Sequence, residues 1–151
     1  MSISCDYLVI GSGIAGLSFA LKTAAHGSVA VITKREIDES ATRYAQGGIA
    51  SVFSTEDSFD AHVQDTLVAG ADICHEEVVR MVVEEGPQTI RDLINWGVKF
   101  TEVEQGGAYD LTREGGHSAR RILHAEDITG REIERALVEA VKNNPNITVY
   151  E

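Results

Sequence analysis

Apolar residues gather in short blocks along this chain, and each block reads as a buried element. Residues 3–10 end in the unbroken run Tyr7-Leu8-Val9-Ile10 and stop at Gly11. Such a run lacks the polar alternation of a half-exposed strand and predicts a strand buried on both faces of a parallel sheet. Residues 14–25 are apolar and rich in small side chains, which predicts a closely packed helix. Gly27 is placed to stop that helix, as glycine does past a C-terminus. Residues 29–32 predict a second buried strand. Strand, helix and strand together span about thirty residues, the size of one βαβ unit.

Periodicity then lapses over residues 34–54, a stretch containing Gly47 and Gly48 and too long for a simple connector. Loops of that length inside compact domains are functional or disordered. Helical spacing returns over residues 58–69, 76–84 and 87–95, with Pro87 suited to the first turn of the third helix. Residues 98–103 predict a strand, 105–108 a turn and 109–111 a second strand. Residues 113–127 read as irregular and polar, crowded with Gly115, Gly116, His117, Arg120, Arg121 and His124. Thr129, with Glu132 three residues on, predicts a capping box for a helix running to Asn143. Pro145 ends it, and residues 147–150 predict a third strand. No repeat and no linker interrupts the pattern, so one α/β domain with a parallel sheet is expected.

Composition narrows the function classes. At 151 residues, 43% apolar and 25% charged, the chain has the size and balance of a soluble globular domain. A formal charge of -11 argues against nucleic-acid grooves and anionic membranes, which call for surplus Lys and Arg. Cys5 and Cys74 form no CxxC and are expected as reduced thiols in a cytoplasmic protein. The N-terminus lacks the basic region of a signal peptide, and the longest weakly polar stretch is too short to span a membrane. No His or carboxylate cluster has metal spacing, so no metal is expected. His26, His62 and His75 are expected at the surface.

The chemistry-bearing motif is Gly11-Ser12-Gly13-Ile14-Ala15-Gly16, a G-x-G-x-x-G between a predicted strand and a predicted helix. Gly11 permits the tight turn, Gly13 lets the backbone approach a pyrophosphate, and Gly16 lets helix and strand touch. Main-chain N–H groups at the helix start would face the phosphates. An acidic residue usually follows the second strand and binds ribose hydroxyls, but Lys34 stands in that place here. A simple NAD site is thereby disfavoured.

Four further runs carry a resemblance: Thr33-Lys34; Ala41-Thr42-Arg43-Tyr44-Ala45-Gln46-Gly47-Gly48; Thr112-Arg113-Glu114-Gly115-Gly116-His117-Ser118; and His124-Ala125-Glu126-Asp127-Ile128-Thr129-Gly130-Arg131-Glu132. With the glycine motif, they resemble, in order, the N-terminal part of the flavoprotein family of succinate dehydrogenases, fumarate reductases and L-aspartate oxidases. The resemblance covers the whole chain. It implies a Rossmann-like FAD-binding domain, the N-terminal part of a larger FAD/NAD(P)-binding fold, with later strands and a capping domain absent.

The resemblance also assigns roles. A lysine after the second strand is usual in the family. Gly11 to Gly16 would hold the ADP part of FAD, with Lys34 nearby, and Ala41 to Gly48 would run along the flavin. Where respiratory members carry a flavin-bonding histidine, this chain has Ala41, which implies non-covalent FAD. Glu114 stands where dicarboxylate oxidoreductases have an apolar residue and aspartate oxidases have glutamate. Aspartate differs from succinate by one ammonium, which a buried site must pair. His117 and Ser118 would line the substrate pocket, while His124, Arg120 and Arg121 fit ligand contact and structural ion pairing equally. The implied reaction is oxidation of L-aspartate to iminoaspartate, on the quinolinate route to NAD. Oxygen or fumarate would accept the electrons, and quinolinate synthase is a candidate partner. A soluble fumarate reductase-like fragment and a non-catalytic nucleotide-binding module stay open as alternatives. Family members are several times longer and carry their remaining substrate groups later, so this chain alone is expected to be inactive.

Overall fold

The computed structural model describes residues 3–103, 107–125 and 128–151. In chain order the elements are β1 (Tyr7–Ile10), α1 (Ile14–Thr23), β2 (Val29–Ile32), a 3-10 turn (Thr42–Tyr44), β3 (Ile49–Ala50), α2 (Phe59–Ala69), α3 (Glu76–Asn95), β4 (Leu111–Thr112), β5 (Ile122–Leu123), α4 (Thr129–Lys142) and β6 (Ile147–Tyr150). They fall into two compact units. One comprises the chain up to Gln46, Asn95–Val98 and Ile128–Glu151; the other comprises Gly47–Ile94 and Lys99–Asp127.

The first unit holds the expected βαβ. Its sheet runs β1-β2-β6, all parallel, with Val9 beside Val31 and Val31 beside Val149. Helices α1 and α4 touch each other and the strands, burying Leu17, Ala20, Leu137 and Val141. On the central strand, Val29, Ala30 and Val31 are all buried. β1 departs from expectation. Only Val9 is buried, while Leu8 and Ile10 are exposed. Successive strand residues alternate faces, and Val9 lies on the covered face while its neighbours Leu8 and Ile10 lie on the other.

Two expected helix signals take other forms. α1 ends at Thr23, short of Gly27, whose backbone is not left-handed. Gly27 is required by space instead: an added Cβ would lie 2.7 Å from the Asp6 carboxylate, which accepts from Ser28 N and Oγ at 2.7 Å each. The capping box does not form either. Thr129 is the first helical residue, Ile128 is the cap, and the Glu132 carboxylate accepts from Arg135 at 2.7 Å. Pro145 does follow the helix end.

The second unit is a small antiparallel sheet, β3-β5-β4, with α2 and α3. Ser58 caps α2, its hydroxyl accepting from Ala61 N at 3.1 Å. The two helices expected over residues 76–95 are one, and Pro87 sits inside it rather than at a start. Val83, Pro87, Ile90 and Leu93 form its buried stripe, so core packing carries the helix through the missing hydrogen bond. Residues 98–103 make no strand ladder, only a bridge between Glu102 and Tyr109. The residues expected as a turn at 105–108 lie partly outside the described residues. β5 lies in the stretch read as irregular, because Ile122 and Leu123 are an apolar pair too short to register as a period.

Candidate functional site

In the first unit the glycine corner is built as its spacing requires. Gly11 has φ +104, which L side chains rarely adopt, and its N–H donates to Ile32 O at 2.9 Å. A Cβ on Gly16 would lie 2.1 Å from Gly11 O, so that glycine is what lets α1 start so close to β1. A Cβ on Gly13 would meet nothing nearer than Thr42 Oγ1 at 3.4 Å. Packing does not demand glycine there; a ligand approaching the backbone would. Ser12 is buried, its hydroxyl donating to Thr33 Oγ1 at 3.3 Å. Ile14 N–H is already taken by Thr42 Oγ1 at 2.9 Å. That contact leaves the Thr42 O–H as a donor. The first turn of α1 holds no acidic residue, Ala15 is exposed, and the open end of the helix suits an anion. Lys34 is exposed beyond β2.

The following segment, residues 41–46, is seated on α4. Gly130 N–H donates to Ala45 O at 3.0 Å, and a Cβ on Gly130 would fall 1.9 Å from Thr42 O. Gly130 is thus the contact that lets this turn lie on the helix. Arg43 pairs with Asp38, and Tyr44 donates to the Glu39 carboxylate at 2.9 Å. Ala41, Ala45 and Gln46 are exposed. One turn along α4, Glu134 is 1% exposed and neither carboxylate oxygen has a hydrogen-bond partner among the described residues. Burial pushes its carboxyl up to about 7; the nearby Ser40 hydroxyl eases this, Asp38 reinforces it and Arg43 opposes it.

In the second unit Gly47 has open space around it, whereas a Cβ on Gly48 would lie 2.2 Å from Leu123 O. Gly48 is therefore set by strand packing. Glu114 is exposed in the turn closed by Gly116 at φ +85, with no side-chain partner among the described residues. His117 N–H donates to Glu114 O at 3.3 Å, and Ser118 donates to Asp65 Oδ2 through both N–H and Oγ, each at 2.7 Å. These residues surround Arg121, which is 0% exposed. Its Nε and Nη2 donate to Asp57 at 2.8 and 2.7 Å, and its Nη1 donates to Asp65 at 2.6 Å. Burial pushes the Asp65 carboxyl up, but Ser118 and Arg121 outweigh it and hold it at about 2. Asp57 is held low against its own burial in the same way by Arg121 and Ser58 N–H.

His62 is buried rather than at the surface. Its Nδ1 has no partner among the described residues, and its ring stands edge-on to His117 at 5.7 Å. Burial, Arg121 and His117 hold its pKa low. It also lines a largely apolar cavity of about 390 Å³ with Ala50, Thr66, Cys74, Val79 and Val83. His26 and His75 are exposed. Arg120 is exposed and donates to Leu111 O at 2.8 Å, and His124 lies 3.5 Å from Asp110. Both cysteines are free. Glu126 and Asp127 lie outside the described residues. Among the described residues no three His, Cys, Asp or Glu gather at metal distance, and no helix is long and apolar enough to cross a membrane.

Asp57, Asp65, Gly130 and Glu134 were not legible in the sequence as site-forming residues. Only Gly130 left a trace, as a glycine conspicuous in the first turn of a predicted helix.

The FAD binding domain family matches residues 6–151. The chain is 60% identical over 146 residues to L-aspartate oxidase 2-b, chloroplastic, of Nicotiana tabacum, covering 97% of this chain and 22% of that protein. It is 53% identical to L-aspartate oxidase of Vibrio cholerae, covering 97% of this chain and 28% of that one. Among solved structures, E. coli quinol fumarate reductase FrdA superposes with a TM-score of 0.89 at 30% identity, over 97% of this chain and 26% of the other. The chain thus spans about a quarter of the length of these relatives.

Proposed function

Because this chain belongs to the FAD binding domain family, we propose that it is the N-terminal, FAD-holding part of an enzyme that oxidises L-aspartate to iminoaspartate. One observation carries the choice of substrate: in a chain this close to L-aspartate oxidases, the turn Arg113 to Ser118 sets the exposed Glu114 carboxylate on the platform that anchors His117 and Ser118. Bound FAD supplies the two-electron acceptor. With Gly11 and Ile14 N–H already spent on Ile32 O and Thr42 Oγ1, the N–H groups of Ser12, Gly13 and Ala15 would hold its pyrophosphate, and the Thr42 O–H would donate to a phosphate oxygen. Ala41 offers no nucleophile to the flavin, so the cofactor is held non-covalently. Glu114 pairs the substrate ammonium and His117 takes up a carboxylate, while Ser118 lines the pocket with both its donors held by Asp65.

Aspartate loses two electrons and two protons in becoming the imine, and oxygen or fumarate accepts the electrons. An imine hydrolyses in water, which favours a consumer close by; quinolinate synthase is the proposed one. The compartment is proposed as the cytoplasm, although the plant relatives are named as chloroplastic.

The likeness to fumarate reductase favours a second reading, a dicarboxylate oxidoreductase. Flavin absorbance separates the two in protein extended to the length of its relatives. Aspartate is expected to bleach the flavin and succinate to leave it unchanged. Glu114→Gln is expected to raise KM for aspartate by about tenfold or more, as loss of an ion-pair partner does. Bleaching by succinate alone would establish the second reading. A chain that stays colourless in excess FAD would support a non-catalytic module.

A further inference from the structure

We infer that Arg121 is a positioning residue: clamped by Asp57 and Asp65, it holds His117 with Nδ1 as acceptor, so that Nε2 carries the proton and offers an N–H to a substrate carboxylate. Only the final clause rests on the proposed function.

The argument starts from donor counting. A guanidinium has five N–H donors and no acceptor. Two of its nitrogens form a fork onto Asp57, with side-chain exposures of 0% and 1%. Its third, Nη1, reaches Asp65 at 2.6 Å and stands 3.2 Å from His117 Nδ1. Arg121 cannot accept, so Nδ1 must present its lone pair. A neutral imidazole has one N–H, which then resides on Nε2.

The same Asp65 oxygen accepts both Ser118 N–H and Ser118 Oγ–H. One carboxylate therefore fixes the main chain directly after His117, and the guanidinium fixes the ring. A buried ion pair is weak evidence of a stabilising role, and Asp57 alone would satisfy the charge of Arg121. The Nη1 arm that reaches Asp65 and His117 is what holds that turn in one geometry. His62, kept neutral, packs against the ring without bringing a second cation beside Arg121.

The test uses the full chain, with nitrogen-15 in its histidines, at about pH 8 where an imidazole is ordinarily neutral. His117 is expected to show a proton coupled to Nε2 and a bare, hydrogen-bonded Nδ1. Arg121→Lys keeps the charge and loses the fork, and is expected to shift the tautomer ratio about fivefold or more toward Nδ1–H. Asp65→Asn is expected to speed Ser118 amide exchange by about tenfold or more. A proton on Nδ1 in the unmodified chain would overturn the inference, whether or not the variants fold. So would a folded Arg121→Lys with an unchanged ratio, or a folded Asp65→Asn with unchanged exchange. None of these readouts involves aspartate or flavin, so they fail independently of the proposed reaction.

Discussion

At the residue scale, single atoms separate fold from ligand. Gly16→Ala places a Cβ 2.1 Å from a main-chain oxygen that cannot step aside, and is expected to lower stability by about 2–3 kcal/mol. Gly13→Ala meets only ordinary contact, and denaturant unfolding should change by less than about 1 kcal/mol. FAD affinity of the same variant, measured by fluorescence titration, should fall by about tenfold or more, because the added methyl occupies the pyrophosphate approach. Glu134 makes a pH prediction. Its carboxyl binds a proton more tightly in the fold, at about 7, than at the ordinary 4.5. Stability from this group is therefore complete below about pH 4.5, declines as pH rises toward about 7, and then levels off, a loss of about 3 kcal/mol. Glu134→Gln should remove that part of the slope in urea melts taken across the range.

At the scale of elements, short-range chemistry was readable at Ser58 but not at Thr129 or Pro87, and burial was readable for β2 but not for β1. Ser58 was read at the start of α2 and is its cap; Ser58→Ala should cost about 1 kcal/mol in equilibrium unfolding. α1, β2 and β6 follow from apolar runs whose neighbours in sequence carry the whole signal. α3 does not. A proline normally breaks a helix at a cost of about 3 kcal/mol, and only the buried stripe through Pro87 offsets that. β1 teaches the reverse lesson: an apolar run promised two covered faces, yet Leu8 and Ile10 have none.

At the scale of the molecule, a ligand that binds only the folded state must stabilise it. FAD at about a hundred times its dissociation constant should add about 2.7 kcal/mol to unfolding, seen as a raised thermal midpoint. ADP should reproduce part of that rise if the glycine corner is the main grip, and a midpoint indifferent to both would contradict the pyrophosphate assignment.

What the sequence determined by itself was local. The strand–glycine–helix corner, the βαβ order and the start of α2 at Ser58 rest on residues adjacent in the chain, where sterics and capping chemistry act over a few bonds. Tertiary structure alone decided the rest. Arg121 meets Asp57 across 64 positions, Gly130 is needed only because the Thr42 carbonyl lands on it, and Glu134 is anomalous only because it is buried. Desolvation and close contact depend on which distant segments the fold brings together, and no local pattern encodes that distance.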